Sequence, residues 1–88
     1  MKVLLFATYR NIANTKMIEI SSEHPNIGQL LKTLIDQFPA LEYELFANQN
    51  QLKPHVHVFV NGRNIIHLNG LHTPIKQDDE IALIPPVG

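Results

Sequence analysis

Residues 55–60 alternate strictly, with Val56, Val58 and Val60 on one side and His55, His57 and Phe59 on the other. A period of two is the signature of a strand with one buried face. Asn61-Gly62 follows, the preferred pair for a tight hairpin turn, and residues 63–68 return as a short strand carrying Ile65 and Ile66. The start of the chain has a different pattern. Residues 2–9 are apolar on both faces, with Val3, Leu5 and Ala7 on one and Leu4 and Phe6 on the other, which predicts a strand inside a sheet. Residues 10–15 hold Asn11 and Asn14 and read as a loop. Residues 16–21 read as a half-exposed partner strand, with Ile18 and Ile20 on one face.

Between the two hairpins the period changes. Ile27, Leu30, Leu31, Leu34, Ile35 and Phe38 recur at helical spacing, the apolar stripe of a helix laid on a sheet. Asn26 is a good N-cap for it, and Pro39 ends it. Residues 40–46 add a short second turn of helix anchored by Leu41, Leu45 and Phe46, and residues 47–53 are polar and loop-like. Asn69-Gly70 marks another turn, residues 71–77 lead back, and Ile81 to Ile84 form a short apolar run, the pattern of a buried last strand. The order β-β-α-β-β-β predicts an α+β fold: one main helix across one face of a mixed sheet of about five strands. One helix covers only one face. Phe6, Phe59 and Ile84 lie on the other, where they are either under a loop or part of an exposed partner surface.

Composition narrows the function. At 88 residues a single domain, 1–88, is expected. The absence of cysteine removes disulfides, thiolate metal sites and cysteine nucleophiles, and fits a cytoplasmic protein. Charge is near balance at −1 and the basic residues are scattered, so no nucleic-acid partner is expected. No segment is long enough to span a membrane, and the apolar start is too short for a signal peptide. Phosphate-loop, dinucleotide and nucleophile-elbow motifs are absent. His55 and His57 share the predicted strand face at a possible ligand spacing. Without a cysteine or a convergent carboxylate they read as two exposed imidazoles, so no metal is expected.

The end of the chain is less ordinary. The acidic turn Asp78-Asp79-Glu80 opens the last strand, and Pro85-Pro86 stops it, because proline has no N–H to give to a ladder. In polyproline geometry residues 85–88 form a stiff stub about 12 Å long. It ends in a glycine carboxylate with no side chain to block approach.

Three stretches together resemble the β-grasp, ubiquitin-like sulfur carriers. They are Phe6-Ala7-Thr8-Tyr9-Arg10, Val60-Asn61-Gly62, and the run from Asp79-Glu80-Ile81-Ala82 through Pro85-Pro86-Val87-Gly88. That family comprises the small subunit of molybdopterin synthase, its thiamine-pathway relative and the archaeal ubiquitin-like small modifiers. The resemblance spans essentially the whole chain, and residues 39–41, 54–60 and 64–74 are more similar to the longer, modifier-like branch. It implies a β-grasp domain with a protruding tail at 85–88 and no activity alone. A ubiquitin-activating-like adenylyltransferase would use ATP to adenylate the terminal carboxylate, which a sulfur donor then converts to a thiocarboxylate. Paired with the molybdopterin synthase large subunit, the chain would deliver that sulfur in molybdenum or tungsten cofactor biosynthesis. By position, Gly88 is the reacting residue, Pro85, Pro86 and Val87 are the threaded arm, and Phe6, Arg10, Phe59 and Ile84 face the partner; no bound cofactor is implied. The family's usual ending is P-P-V-x-G-G, which puts Gly88 at the x position, so the native chain is expected to continue to Gly-Gly. Two other readings stand beside the carrier: a ubiquitin-like modifier joined to lysines through its terminal glycine, and a binding module without tail chemistry.

Overall fold

In a computed structural model describing residues 1–20 and 24–86, the last strand is the middle of the sheet. Strand β1 (Lys2–Leu5) is followed by helix α1 (Thr8–Ala13), strand β2 (Met17–Glu19) and helices α2 (Ile27–Gln37) and α3 (Leu41–Leu45). Then come a small hairpin of β3 (Phe46–Asn48) and β4 (Gln51–Leu52), and strands β5 (His57–Val60) and β6 (Arg63–Asn64). Two 3₁₀ turns, Ile65–His67 and Gly70–His72, lead to β7 (Glu80–Ile84). The main sheet has the order β2-β1-β7-β5-β6. β7 runs parallel to β1 and antiparallel to β5, so the expected mixed five-stranded sheet is present.

The core lies between that sheet and α2. Val3, Leu5, Val58, Val60, Ile81 and Leu83 are buried on one sheet face, and Ile27, Leu30, Leu31 and Leu34 are fully buried from the helix. Each such side chain contributes about 1.5–3 kcal/mol relative to exposure. The helical stripe read from the sequence is the buried one, although Ile35 and Phe38 at its end are only partly buried. The Asn26 side chain caps α2 by accepting from the Gln29 N–H at 3.0 Å. Thr73, a buried polar residue, secures the same helix end: its carbonyl accepts from the Ile27 N–H at 3.1 Å.

Five expectations are corrected. The first strand ends at Leu5 rather than residue 9, and the loop expected at 10–15 is mostly the helix α1. Tyr9 is buried, and Ile12 and Ala13 pack on the core from the same helical face, so helical spacing overrides the strand pattern there. Asn14, at φ 58°, closes that helix in left-handed geometry. The loop expected at 47–53 contains the hairpin β3–β4. The strand expected over 63–68 stops at Asn64, whose side chain accepts from the Ile66 N–H at 3.1 Å and starts a 3₁₀ turn instead. Finally, His55 stands ahead of β5 with φ 69°, so it is a turn residue, not a strand neighbour of His57.

The Asn61-Gly62 turn forms as read, with both residues at positive φ (52° and 84°), as a two-residue hairpin turn of the primed type requires. Asn61 also fixes the start of β7. Its Oδ1 accepts from the Glu80 N–H at 2.9 Å, and its Nδ2 donates to Asp79 Oδ1 at 2.9 Å.

Candidate docking face and tail root

The sheet face turned away from α2 follows from strand parity. The register puts Leu4 between Met17 and Ala82, and Ala82 between Leu4 and Phe59, with Asn64 beyond. One step nearer the tail, Ile84 stands opposite His57. Phe6, one residue past the Leu5–Leu83 pair, is level with Ile84, and its N–H extends the ladder to the Leu83 carbonyl at 3.3 Å. At the far end the same face is charged: Lys2 lies between Glu19 and Glu80. The apolar part of the face is therefore gathered at the end from which the tail leaves.

Of the two readings left open for this face, a sealed core is excluded. Phe6 is 37% and Met17 40% exposed, while Leu4, Ala82, Phe59 and Ile84 are half-buried. The spacing within Phe6-Ala7-Thr8-Tyr9-Arg10 has a geometric reason. Ala7 sits at φ 50°, ψ −121°, and the Phe6 carbonyl accepts from the Tyr9 N–H at 3.1 Å, so the chain reverses tightly from β1 into α1. That turn brings Arg10 back over the ring of Phe6, with Cζ 5.9 Å from its centroid. Arg10 Nε donates to the Leu5 carbonyl at 3.3 Å, which pins the guanidinium at the rim of the patch.

The tail root continues β7. Pro85, expected in the protruding arm at 85–88, is instead buried against the body, and Pro86 is exposed, so the chain leaves the body at Pro86. Val87 and Gly88 lie outside the described residues. His57, half-buried beside Ile84, has Nδ1 3.1 Å from Asn64 Nδ2 and its ring centroid 6.3 Å from that of Phe59. Sequence reasoning read His57 as an exposed imidazole; the hairpin that pairs β5 with β6 was expected, but not that Asn64 would turn its side chain diagonally onto a half-buried His57. It also missed Tyr9, whose hydroxyl is buried with no hydrogen-bond partner among the described residues. Burial, and then the negative charge of Glu44, push its pKa up to about 12. Among the described residues no three acidic, histidine or cysteine side chains gather as a metal site, and no helix is long and apolar enough to cross a membrane. A wide groove lined by Lys32, Ile35, Asp36, Tyr43 and Phe46 lies against α2 and α3, whereas the tail root adjoins an open face. A broad apolar face suits a protein partner better than a small ligand, which takes a concave site.

The chain matches the ThiS family over residues 3–88, which includes the whole of the patch and the tail. It belongs to that family. ThiS-family proteins are sulfur carriers and ubiquitin-like small modifiers of β-grasp fold. This ThiS-family chain is 31% identical over 88 residues to small archaeal modifier protein 3 of Haloferax volcanii, covering 99% of itself and 95% of that protein. It is 32% identical over 71 residues to a candidate sulfur carrier protein of Archaeoglobus fulgidus, with 80% of each chain covered. Its fold superimposes on the solution structure of small archaeal modifier protein 1 from Methanosarcina acetivorans with a TM-score of 0.87. That match has 38% identity and covers 99% of this chain and 92% of the other.

Proposed function

We propose that the chain is a sulfur carrier acting through a C-terminal thiocarboxylate, the small subunit of a molybdopterin synthase. The observation that carries the reading is the family match running through a tail that springs from the centre of the sheet. The chemistry takes two steps on the carrier. The carboxylate of the terminal glycine, Gly88 or a Gly-Gly beyond it, attacks the α-phosphorus of ATP in the activating enzyme and releases pyrophosphate. A sulfide-level donor then adds to the acyl carbon and AMP leaves, so that sulfur replaces one carboxylate oxygen. The carrier supplies placement. Phe6, Phe59 and Ile84, with Arg10 at the rim, dock on the activating enzyme and later on the synthase large subunit. Pro86 and Val87 then thread the terminus into the partner's active site. Fixing the root makes the reaction of the terminus effectively intramolecular, which lowers its entropic barrier by several kcal/mol, up to about 7–11 in the best-oriented cases.

A second reading has specific support: two of the similar proteins, both from Haloferax volcanii, are named small archaeal modifier proteins 3 and 1. A modifier uses the same adenylate but gives its acyl group to a lysine amine. Reconstitution separates the two. The full-length chain is incubated with its cognate adenylating enzyme, ATP and sulfide, then with the synthase large subunit and the pterin precursor. Conversion of the precursor to its dithiolene supports the carrier. Isopeptide conjugates without conversion support the modifier, and pyrophosphate release in neither direction contradicts both.

A further inference from the structure

We propose that His57 is the polar centre of the docking face, an N–H donor whose direction is set by Asn64 and which selects a partner presenting a carbonyl oxygen there. The inference rests on the docking role of the face and goes beyond it by naming what the partner must offer. Asn64 Oδ1 lies 3.1 Å from the Ile66 backbone nitrogen, and a backbone N–H can only donate. That end of the amide is therefore the oxygen, and the other end, 3.1 Å from His57 Nδ1, is the NH2 donor. A donor facing Nδ1 requires the ring lone pair there, so the neutral imidazole carries its proton on Nε2. No described residue accepts from Nε2.

The surroundings define the complement. His57 is flanked by Ile84 across the strand pair and by Phe59 on its own strand. Ile66, 68% exposed, hangs from the same Asn64 side chain. The charged groups of this face lie elsewhere: Lys2, Glu19 and Glu80 at the far end, and Arg10 at the Phe6 rim. A partner that covers His57 with purely apolar surface leaves a desolvated N–H unpaired, which is strongly disfavoured. A partner carboxylate would be desolvated among apolar groups with one donor to hold it, which is also costly. A neutral carbonyl oxygen set in apolar surface satisfies both demands. His57 thus acts as a specificity-determining residue, rejecting apolar surfaces that lack the acceptor.

Two measurements test this. In the first, ring ¹⁵N NMR of the free chain with the imidazole neutral should place the proton on Nε2. A proton on Nδ1 overturns the proposal. In the second, binding to the cognate adenylating enzyme is compared for His57→Phe, His57→Gln, Asn64→Ser and Ile84→Asp, each checked for folding by its amide spectrum. His57→Phe should bind roughly ten- to a hundredfold more weakly, the usual cost of stranding a buried acceptor. His57→Gln, which keeps an N–H at similar reach, should stay within about threefold by the same reasoning. Asn64→Ser keeps a hydroxyl to cap Ile66 but frees the tautomer, and should weaken binding severalfold. Unchanged binding in Asn64→Ser and in any folded His57→Phe, with Ile84→Asp still losing it, sinks the His57 role and leaves the docking face standing. Wild-type binding by Ile84→Asp sinks the docking face itself.

Discussion

Ala7 should be more stable as glycine. Its φ of 50° and ψ of −121° belong to the first central position of a tight reversed turn, where a Cβ crowds the backbone and glycine is at ease. A non-glycine residue held in such a region stores about 1–3 kcal/mol of strain. The side chain is exposed, so losing its methyl forfeits little burial. Against the relief stands the extra freedom glycine gives the unfolded chain, about 0.4–1 kcal/mol. The difference favours Ala7→Gly by about 1 kcal/mol, which raises the melting temperature by roughly 4–8 °C in a domain of this size. Urea denaturation should show a higher midpoint with an unchanged slope, since the surface exposed on unfolding is the same. Ala7→Val should move the other way, because a branched Cβ tolerates positive φ worse than alanine does. An Ala7→Gly variant less stable than wild type by half a kilocalorie or more would mean that the turn between β1 and α1 has another geometry. The placement of Arg10 over Phe6 would then lose its explanation.

Leu34→Ala, at a fully buried position of α2, should cost about 2–5 kcal/mol by chemical denaturation; a loss below about half a kilocalorie would put the residue at the surface. Tyr9→Phe should be neutral or stabilising, because it removes a buried hydroxyl without a partner. Tyr9 also gives an alkaline signature. Its folded pKa is raised from 10.0 to about 12, so its contribution is complete below pH 10.0 and is lost as pH rises toward 12. The wild type should therefore lose more stability across that window than Tyr9→Phe does, and equal slopes would contradict the burial of the phenol. Ile84→Asp should leave the domain folded, since the side chain lies on the open face, while abolishing measurable docking on the adenylating enzyme; unfolding instead would return Ile84 to the core.

The parts of the fold legible in the sequence were those set by burial on one side. The stripe of α2 and the alternation of β5 each repeat with the period of their element, and the Asn61-Gly62 pair has few conformations open to it. Parity along β1 and β7 was enough to put Phe6 and Ile84 on one face. What escaped was set by single side chains or by tertiary contact. Only Asn64 accepting from Ile66 ends β6 early, and only the packing of Tyr9, Ile12 and Ala13 on the core makes a helix of a stretch with two asparagines. β3 and β4 are so short that three and two residues carry no readable period. In the site, the rim position of Arg10 depends on the Ala7 turn, and the partner of His57 comes from the neighbouring strand. Both pairs are close in sequence, but each contact depends on a backbone reversal or side-chain direction that periodicity does not give.

On the proposed function, sulfur travels on the chain's end. The most direct test is the intact mass of the C-terminal peptide of the protein isolated from its own cells without added reductant or alkali. A population is expected in which one terminal carboxylate oxygen is replaced by sulfur, and it should disappear when the cognate adenylating enzyme is deleted. A terminus found only as free carboxylate, or only as an isopeptide remnant on lysines of other proteins, in cells actively making the cofactor would contradict that function.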